Sequence, residues 1–256
     1  MTQGFLAARP EANLRIGKDR NWPIQMGIDI HANVQEIRQV IEKAAAKAGR
    51  NPGSIKLMAV SKTIDPERIN HALEAGIQHL GENRVQEALA KKPLLSLRPY
   101  TFHLIGPLQK NKVNKAVEIF DWIHTVESIE LASKINRVGE LSRKRIPVLI
   151  EVNLENEPSK SGIVEQEVRD LVEKMSLLRN LSIRGLMCVP PFREDPEEVR
   201  PYFVRLRRLA EILAEWRIDN VSMDELSMGM SHDFPVAIEE GATLVRLGTA
   251  IFGPRH

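Results

Sequence analysis

The alternation of apolar and helical segments predicts an α/β fold, a single closed (β/α)8 barrel of the TIM type. Eight short apolar segments alternate along the chain with segments of helical periodicity. Such alternation implies parallel strands joined by crossover helices. Eight strand–helix units use nearly all of the 256 residues, and this is an ordinary length for such a barrel. An open doubly wound sheet is the alternative.

The composition is that of a globular protein without a strong charge bias. Hydrophobic residues make up 43% and charged residues 27%, and the formal net charge is +2. This near balance gives no signal for nucleic acid or an anionic membrane. Cys188 is the only cysteine, which excludes an internal disulfide and fits a reducing compartment. No segment resembles a membrane span or a secretory signal. We therefore expect a cytoplasmic protein, a monomer or weak dimer.

The first helix is expected to close the barrel. Residues 1–27 carry Pro and Gly breaks, and they predict a loose N-terminal extension before a barrel domain at 28–256. A helix over 28–48 follows, and its apolar face comprises Ile30, Val34, Ile37, Val40 and Ile41. No helix follows the last strand, so this first helix can cover the gap that it leaves.

The remaining elements follow in order. We predict strands at 55–61, 79–83, 101–106, 122–126, 147–153, 183–189, 221–228 and 244–248, the last continuing to 252. Helices are predicted at 65–75, from 84 to about 92, from after Pro107 to 120, and at 128–143, 165–178, 197–216 and 234–240. Gly and Pro close several of these segments, and Ser128 is expected to cap one helix.

Lys62 follows the apolar run Leu57–Val60 and is the first candidate site residue along the chain. Ligands of parallel α/β folds bind at the carboxyl ends of the strands. A lysine there can lose its proton through desolvation or neighbouring cations, and can then condense with an aldehyde. The alternative is an ordinary lysine that is exposed to solvent where the chain leaves the strand. Asn83 and His103 are expected to be its neighbours on the same rim.

The segment Ser227–Ser231 ends the seventh strand before a helix. Its two serine hydroxyls, a close backbone approach at Gly229 and the free N–H groups of the helix suit a phosphate. Gly248 and Thr249, after the eighth strand, could bind the same phosphate. A phosphate site at these two strands recurs in barrels of this type.

Arg246 lies within an apolar run and needs a partner, because burying an unpaired guanidinium is costly. A ligand is one candidate partner. An internal salt bridge to Glu82, Glu127 or Glu151 is the other. The histidines lack the spacing of a metal site, so we expect no metal.

Several motifs together identify a family. They are Ala59–Thr63, Gly81–Arg84 with Gln86 and Glu87, His103–Gln109, Ser159–Gly162, Gly185–Met187, Leu226–Ser231 and Val245–Gly253. In this order they closely resemble the pyridoxal phosphate homeostasis protein family over roughly residues 30 to 254. The resemblance implies a barrel like the N-terminal domain of alanine racemase. It also implies pyridoxal 5'-phosphate (PLP) bound as an internal aldimine on Lys62.

The same resemblance implies roles for the rim residues. It places the phosphate on Ser227, beside Gly229, with Gly248 and Thr249 as a second phosphate segment. It makes Arg246 the arginine that faces the pyridine nitrogen. It sets Asn83 and His103 near the cofactor, and Lys160 in the loop motif of the family. The chain departs from the family pattern at Cys188–Pro190.

A cofactor carrier is favoured over a catalyst. An arginine facing the ring nitrogen disfavours its protonation and weakens the ring as an electron sink. A racemase also needs a second acid or base, a tyrosine in its relatives, and neither Tyr100 nor Tyr202 is placed to serve. We expect a protein that buffers PLP or delivers it to PLP-dependent apo-enzymes. A single-domain racemase or lyase, and a cofactor-free Schiff-base aldolase using Lys62, are the alternatives.

Overall fold

The structure is a computed structural model that describes residues 29–155, 157 and 161–254. The extension predicted at 1–27 lies outside these residues, and so does Lys160 of the loop motif. The bounds assigned to the extension and to the barrel domain therefore stay predictions.

Eight parallel strands close into a barrel. In chain order the strands are β1 Lys56–Val60, β2 His79–Glu82, β3 Thr101–Leu104, β4 Trp122–Val126, β5 Ile146–Asn153, β6 Ile163–Val164, β7 Leu181–Met187, β8 Val221–Met230 and β9 Leu244–Leu247. The sheet order is β4-β3-β2-β1-β9-β8-β7-β5, and β4 also pairs with β5. This last pairing closes the ring, so the predicted barrel is confirmed and the open doubly wound sheet is wrong. The short strand β6 pairs with β5 outside the ring.

Helices cover the outside of the ring. They are α1 Ile30–Lys47, α2 Pro66–Glu74, α3 Val85–Lys91, α4 Val113–Ile119, α5 Ile129–Leu141, α6 Val168–Ser176, α7 Arg200–Glu215, α8 Phe234–Glu239 and α9 Thr249–Phe252. Ser128 caps α5 by accepting from the Leu131 N–H at 3.3 Å, as predicted. No helix among the described residues has the length and apolar character needed to cross a membrane.

The first helix fills the gap left after the last strand. Helix α1 packs against α8, α9 and α2, and so bridges the end of the barrel and its beginning. Its buried apolar face contains Ile30, Val34, Ile37 and Ile41, while Val40 is only half-buried. The Asn33 amide donates to the Ile251 carbonyl at 2.9 Å and anchors this helix to α9.

Several predicted boundaries differ from the observed ones. Strand β3 ends at Leu104 instead of residue 106, and β7 runs from Leu181 to Met187 instead of 183–189. Three further differences lie at the carboxyl side of the barrel. Strand β8 continues to Met230 instead of ending at Met228. The predicted extension of the last strand to Phe252 is instead α9, because the Gly248 and Ala250 N–H groups donate to the Ser231 hydroxyl at 3.3 Å. Helix α4 begins only at Val113, after a 3-10 turn at Lys110–Lys112.

Candidate functional site

A cavity of about 540 Å³ opens at the carboxyl mouth of the barrel. Its size falls within the range of roughly 300–1,000 Å³ that holds small ligands. It lies among the residues that end or follow the strands, which is where barrel enzymes bind their ligands. The cavity is lined by Lys62, Asn83, Ile105, Gly106, Pro107, Glu151–Glu155, Ser161, Cys188–Phe192 and Met230.

Lys62 lies where the sequence predicted it, just beyond β1 and against this cavity. It occupies a tight turn, because the Ile64 N–H donates to the Ser61 carbonyl at 3.0 Å. Thr63, the next residue, has a positive φ of 65°. Few residues other than glycine or asparagine adopt that conformation, so the backbone beside Lys62 is strained.

A buried ion cluster lies next to this turn. The Lys91 ammonium donates to Glu82 Oε1 at 2.9 Å and to Glu87 Oε1 at 2.6 Å. Burial raises the pKa of Glu82, although Lys91 and Ser61 oppose the rise. Burial alone would raise the pKa of Glu87 as well, but hydrogen bonds from Lys91 and the Thr63 N–H lower it. The sequence signal for this cluster is the i, i+4 spacing of Glu87 and Lys91.

Asn83 also lies at the mouth, as expected. Its Oδ1 is buried and has no hydrogen-bond partner among the described residues. Gly106 lies directly against the backbone of Asn83, since a Cβ at Gly106 would lie 2.4 Å from the backbone carbonyl oxygen of Asn83. A buried, unpaired amide oxygen beside an open cavity is a candidate contact for a ligand.

His103 does not lie on the rim, and this expectation was wrong. It is 2% exposed inside the barrel. Its Nε2 is 3.1 Å from His79 Nδ1, and its Nδ1 is 2.9 Å from His124 Nε2. His79 and His103 help to line a second cavity, of about 220 Å³, around the starts of the strands. The structure therefore places His103 towards the amino mouth, because its ring contacts His79 and Trp122, the first residues of the neighbouring strands β2 and β4.

Ser227 lies in the barrel interior and does not end its strand. It is fully buried, three residues before the end of β8. Its hydroxyl accepts from Arg246 Nη1 at 2.7 Å and lies 3.2 Å from His124 Nδ1. With these partners the hydroxyl is engaged inside the barrel, and its role as a phosphate ligand stays a prediction.

Arg246 is buried beneath the mouth and bonds mainly to backbone. Its Nη1 donates to the Ser227 carbonyl at 2.5 Å, and its Nη2 donates to the Cys188 carbonyl at 2.7 Å. Among the described residues, no ion pair joins it to Glu82, Glu127 or Glu151, so the salt-bridge alternative was wrong. Burial lowers the pKa of Arg246, yet an arginine remains cationic at neutral pH.

The end of β8 meets the start of α9 at Ser231. Its hydroxyl accepts from the Gly248 and Ala250 N–H groups, each at 3.3 Å, and Thr249 lies between them. The structure thus brings together three of the residues that the sequence grouped as a phosphate site. Ser231, instead of Ser227, is the serine at this junction.

Gly229 serves packing instead of a close approach to a ligand. Its φ is +91°, and a Cβ there would lie 2.6 Å from Ala237 Cβ and 3.1 Å from Phe234 Cα. Both neighbours belong to α8. The glycine therefore lets α8 pack against the end of β8, and the proposed contact with a ligand is not supported.

Glu151 is a mouth residue whose importance the sequence did not indicate. It lies in β5, lines the cavity and has a buried Oε2 without a partner in the described part of the chain. Burial, aided by Glu127, raises its pKa to about 7. Inward-facing positions of a strand alternate, so a carboxylate two residues before Asn153, inside an apolar strand, was a usable signal.

Neither tyrosine lines the mouth. Tyr100 precedes β3, and Tyr202 belongs to α7, as the sequence indicated. Among the described residues, no group of three His, Cys, Asp or Glu side chains could hold a metal ion.

A closed parallel barrel with a lysine after its first strand, facing the carboxyl mouth, defines a barrel of the alanine racemase type. The sequence profile described as "Alanine racemase, N-terminal domain" matches residues 30–256. A pyridoxal phosphate homeostasis protein of Aquifex aeolicus is 43% identical over 222 residues, covering 87% of this chain and 96% of its own. The chain belongs to the pyridoxal phosphate homeostasis protein family, whose barrel is that of the alanine racemase N-terminal domain.

Solved structures agree with this membership. PipY of Synechococcus elongatus, with PLP bound, is 39% identical and superposes with a TM-score of 0.74. The match covers 84% of this chain and all of PipY. A crystal structure from Bifidobacterium adolescentis is 36% identical, with a TM-score of 0.83, and covers 88% of this chain and 94% of its own.

Proposed function

We propose that this chain binds PLP reversibly at its carboxyl mouth and holds it as a Schiff base on Lys62. By this binding it buffers the cofactor or delivers it to PLP-dependent apo-enzymes. The single observation that carries the proposal is the position of Lys62, at the wall of a cavity of about 540 Å³ in a barrel of this family. The PLP-bound relative PipY supports the choice of cofactor.

The residues of the mouth fit the groups of the cofactor. When bound, PLP would supply an aldehyde to the Lys62 amine. The unpaired Asn83 oxygen in the wall of the mouth is suited to a donor group on the ring, and the Arg246 guanidinium, which lies beneath the mouth, is suited to the ring nitrogen. The junction of Ser231 with Gly248 and Thr249 is suited to a phosphate, because the Gly248 and Ala250 N–H groups, which donate to the Ser231 hydroxyl at 3.3 Å, could donate to a phosphate oxygen instead. This assignment replaces Ser227 by Ser231.

The same residues favour storage over catalysis. A cationic Arg246 at the ring nitrogen would keep that nitrogen unprotonated, because two like charges in a buried site repel each other. A ring in that state withdraws electrons weakly. Neither tyrosine lines the described part of the mouth, so the usual second acid or base of a racemase has no counterpart there.

Absorbance spectroscopy tests the proposal directly. Purified protein loaded with PLP should show a Schiff-base band that borohydride removes, and Lys62→Ala should lose the band while remaining folded. An unchanged spectrum in Lys62→Ala would place the anchor elsewhere. Absence of any PLP band, together with aldehyde-dependent turnover, would favour the cofactor-free aldolase.

One observation favours a catalytic alternative. Glu151 lies in the mouth with a pKa of about 7, and general acids and bases work best near the ambient pH. A racemase or lyase using Glu151 predicts turnover of an amino acid by the PLP-loaded protein. It also predicts that Glu151→Gln abolishes this turnover without releasing PLP. Sustained turnover at enzymatic rates would contradict the carrier proposal.

A further inference from the structure

Lys62 lies at the second position of an unusual turn. The turn runs from Ser61 to Ile64 and is closed by the Ile64 N–H, which donates to the Ser61 carbonyl at 3.0 Å. Its third residue, Thr63, has a φ of +65°, as in a type II turn. That position favours Gly or Asn, and a β-branched residue there is a conformational outlier. Such a turn persists only where its surroundings hold it.

Two side chains of α3 hold the turn on both sides of Lys62. Glu87 Oε1 accepts from the Thr63 N–H at 2.5 Å, directly after the lysine. The Lys91 ammonium donates to the Ser61 carbonyl at 2.7 Å, directly before it. The strained peptide and its neighbour are thus tied to one rigid element, a helix of the barrel wall.

The ammonium of Lys91 has no spare donor. Its three N–H groups reach the Ser61 carbonyl, Glu82 Oε1 and Glu87 Oε1 at 2.6 to 2.9 Å. Glu82 is fully buried and also accepts from the Ser61 hydroxyl at 2.8 Å. Removing one member of such a cluster leaves a buried charge without its partner, which is costly.

We propose that Glu87 and Lys91, supported by Glu82, are positioning residues that hold the turn and direct the Lys62 amine into the mouth. None of the three lines the described cavity, so they act through the backbone of Ser61 and Thr63 and do not touch the cofactor. The inference rests on the proposed function, because it assumes that Lys62 is the anchor for PLP.

Titration of the cofactor-free protein with PLP, followed at the Schiff-base band, tests the inference. Glu87→Ala should raise the apparent dissociation constant by about 10- to 100-fold, as expected when a charge-assisted hydrogen bond is lost. Lys91→Met should act in the same direction. Glu74→Ala, on the exposed end of α2, is the matched control and should bind PLP as the parent protein does.

A double-mutant cycle separates positioning from general damage to the fold. Glycine adopts a positive φ without strain, so the turn no longer needs Glu87 once Thr63 is replaced. The loss of affinity caused by Glu87→Ala should therefore shrink by about tenfold or more in a Thr63→Gly background. A merely structural role of Glu87 predicts the same loss in both backgrounds.

The outcomes are distinct from those of the proposed function. If Glu87→Ala is folded and binds PLP normally, or if its loss of affinity is equal in both backgrounds, the positioning role is refuted. In that case, loss of the Schiff-base band in Lys62→Ala would still support Lys62 as the residue that binds PLP covalently. If Lys62→Ala keeps the band, the anchor itself is refuted. Thermal unfolding of each variant identifies those that fail to fold, and Glu87, with a side chain 23% exposed, is the least buried target.

Discussion

At the scale of single residues, the mouth of the barrel concentrates polar groups whose partners are incomplete. Asn83 and Glu151 each bury an oxygen without a partner among the described residues, and both face the same cavity. Buried polar atoms are normally paired, and leaving one unpaired costs free energy. At these two residues the fold therefore leaves polar atoms unpaired, which lowers its stability, in positions where a ligand can contact them.

Glu151 should make the stability of the cofactor-free protein depend on pH. Its pKa rises from about 4.5 to about 7 on folding. As the pH rises, the unfolded chain therefore loses this proton at a lower pH than the folded protein does. The free energy of unfolding falls between about pH 4.5 and about pH 7. The loss amounts to about 3 kcal/mol. Glu151→Gln should remove it, so the variant should be more stable than the parent at pH 8 and similar near pH 4.5.

Urea unfolding at both pH values measures this difference. Glu74→Gln, at an exposed position, is the control and should change neither value. Equal free energies of unfolding for the parent and Glu151→Gln at pH 8 would show that Glu151 is not held protonated by the fold.

Ser227, within β8, and Ser231, directly after it, should respond differently to substitution by alanine. Ser231→Ala should weaken PLP binding by about 1–3 kcal/mol, because a hydrogen bond to a charged phosphate is lost. Ser227→Ala should mainly lower the free energy of unfolding, because its hydroxyl bonds inside the barrel to Arg246. Dissociation constants for PLP and urea unfolding of both variants provide the comparison. A larger loss of affinity in Ser227→Ala, at unchanged stability, would restore Ser227 as the phosphate ligand.

At the scale of elements, the seam between β8 and α8 depends on one glycine. Gly229 combines a positive φ with close contact to Ala237 and Phe234. A strand that ends in this conformation can lead directly into the turn before α8. The sequence correctly singled out this glycine, but the position needs a glycine because two elements pack closely there, not because a ligand approaches.

Gly229→Ala should destabilise the protein by about 2–5 kcal/mol. The left-handed conformation contributes roughly 1–2 kcal/mol, and the new contact with Ala237 adds an overpacking term of about 1–3 kcal/mol. Gly49→Ala is the matched control, since its φ is +66° but no atom lies within 4 Å of the added Cβ. Urea unfolding should show the larger loss for Gly229→Ala. Equal losses would mean that the packing contact relaxes freely.

At the scale of the whole molecule, a chain of hydrogen bonds runs through the barrel from its amino mouth to Arg246. It passes from His79 through His103 and His124 to Ser227. Arg246 can only donate, so the Ser227 oxygen accepts from it. Among the described residues, His124 Nδ1 is then the acceptor left for the Ser227 proton. If the Ser227 hydroxyl donates to His124 Nδ1, each imidazole along the chain carries its proton on Nε2 and accepts at Nδ1.

We predict that His79, His103 and His124 are neutral Nε2–H tautomers. Burial lowers the pKa of each, and it lowers those of His103 and His124 well below that of free histidine. Nitrogen NMR of the labelled protein should find them neutral at pH 6, where free histidine is largely protonated. Ser227→Ala should disturb the His124 tautomer first. An Nδ1–H signal for His124 in the parent protein would contradict the deduced direction of the chain.

The sequence alone determined the barrel, the order of its elements and the position of Lys62. Apolar periodicity is local, and the carboxyl ends of parallel strands must share one edge, so these features need no knowledge of contacts. Only the tertiary structure decided which inward side chains lie at the mouth. His103 and Ser227 share their strands with rim residues yet lie inside the barrel, because strand length and register set the depth of each side chain. The i, i+4 spacing of Glu87 and Lys91 indicated an ion pair, but their hydrogen bonds to the turn that carries Lys62 could not be predicted, since these depend on how α3 packs beside the turn.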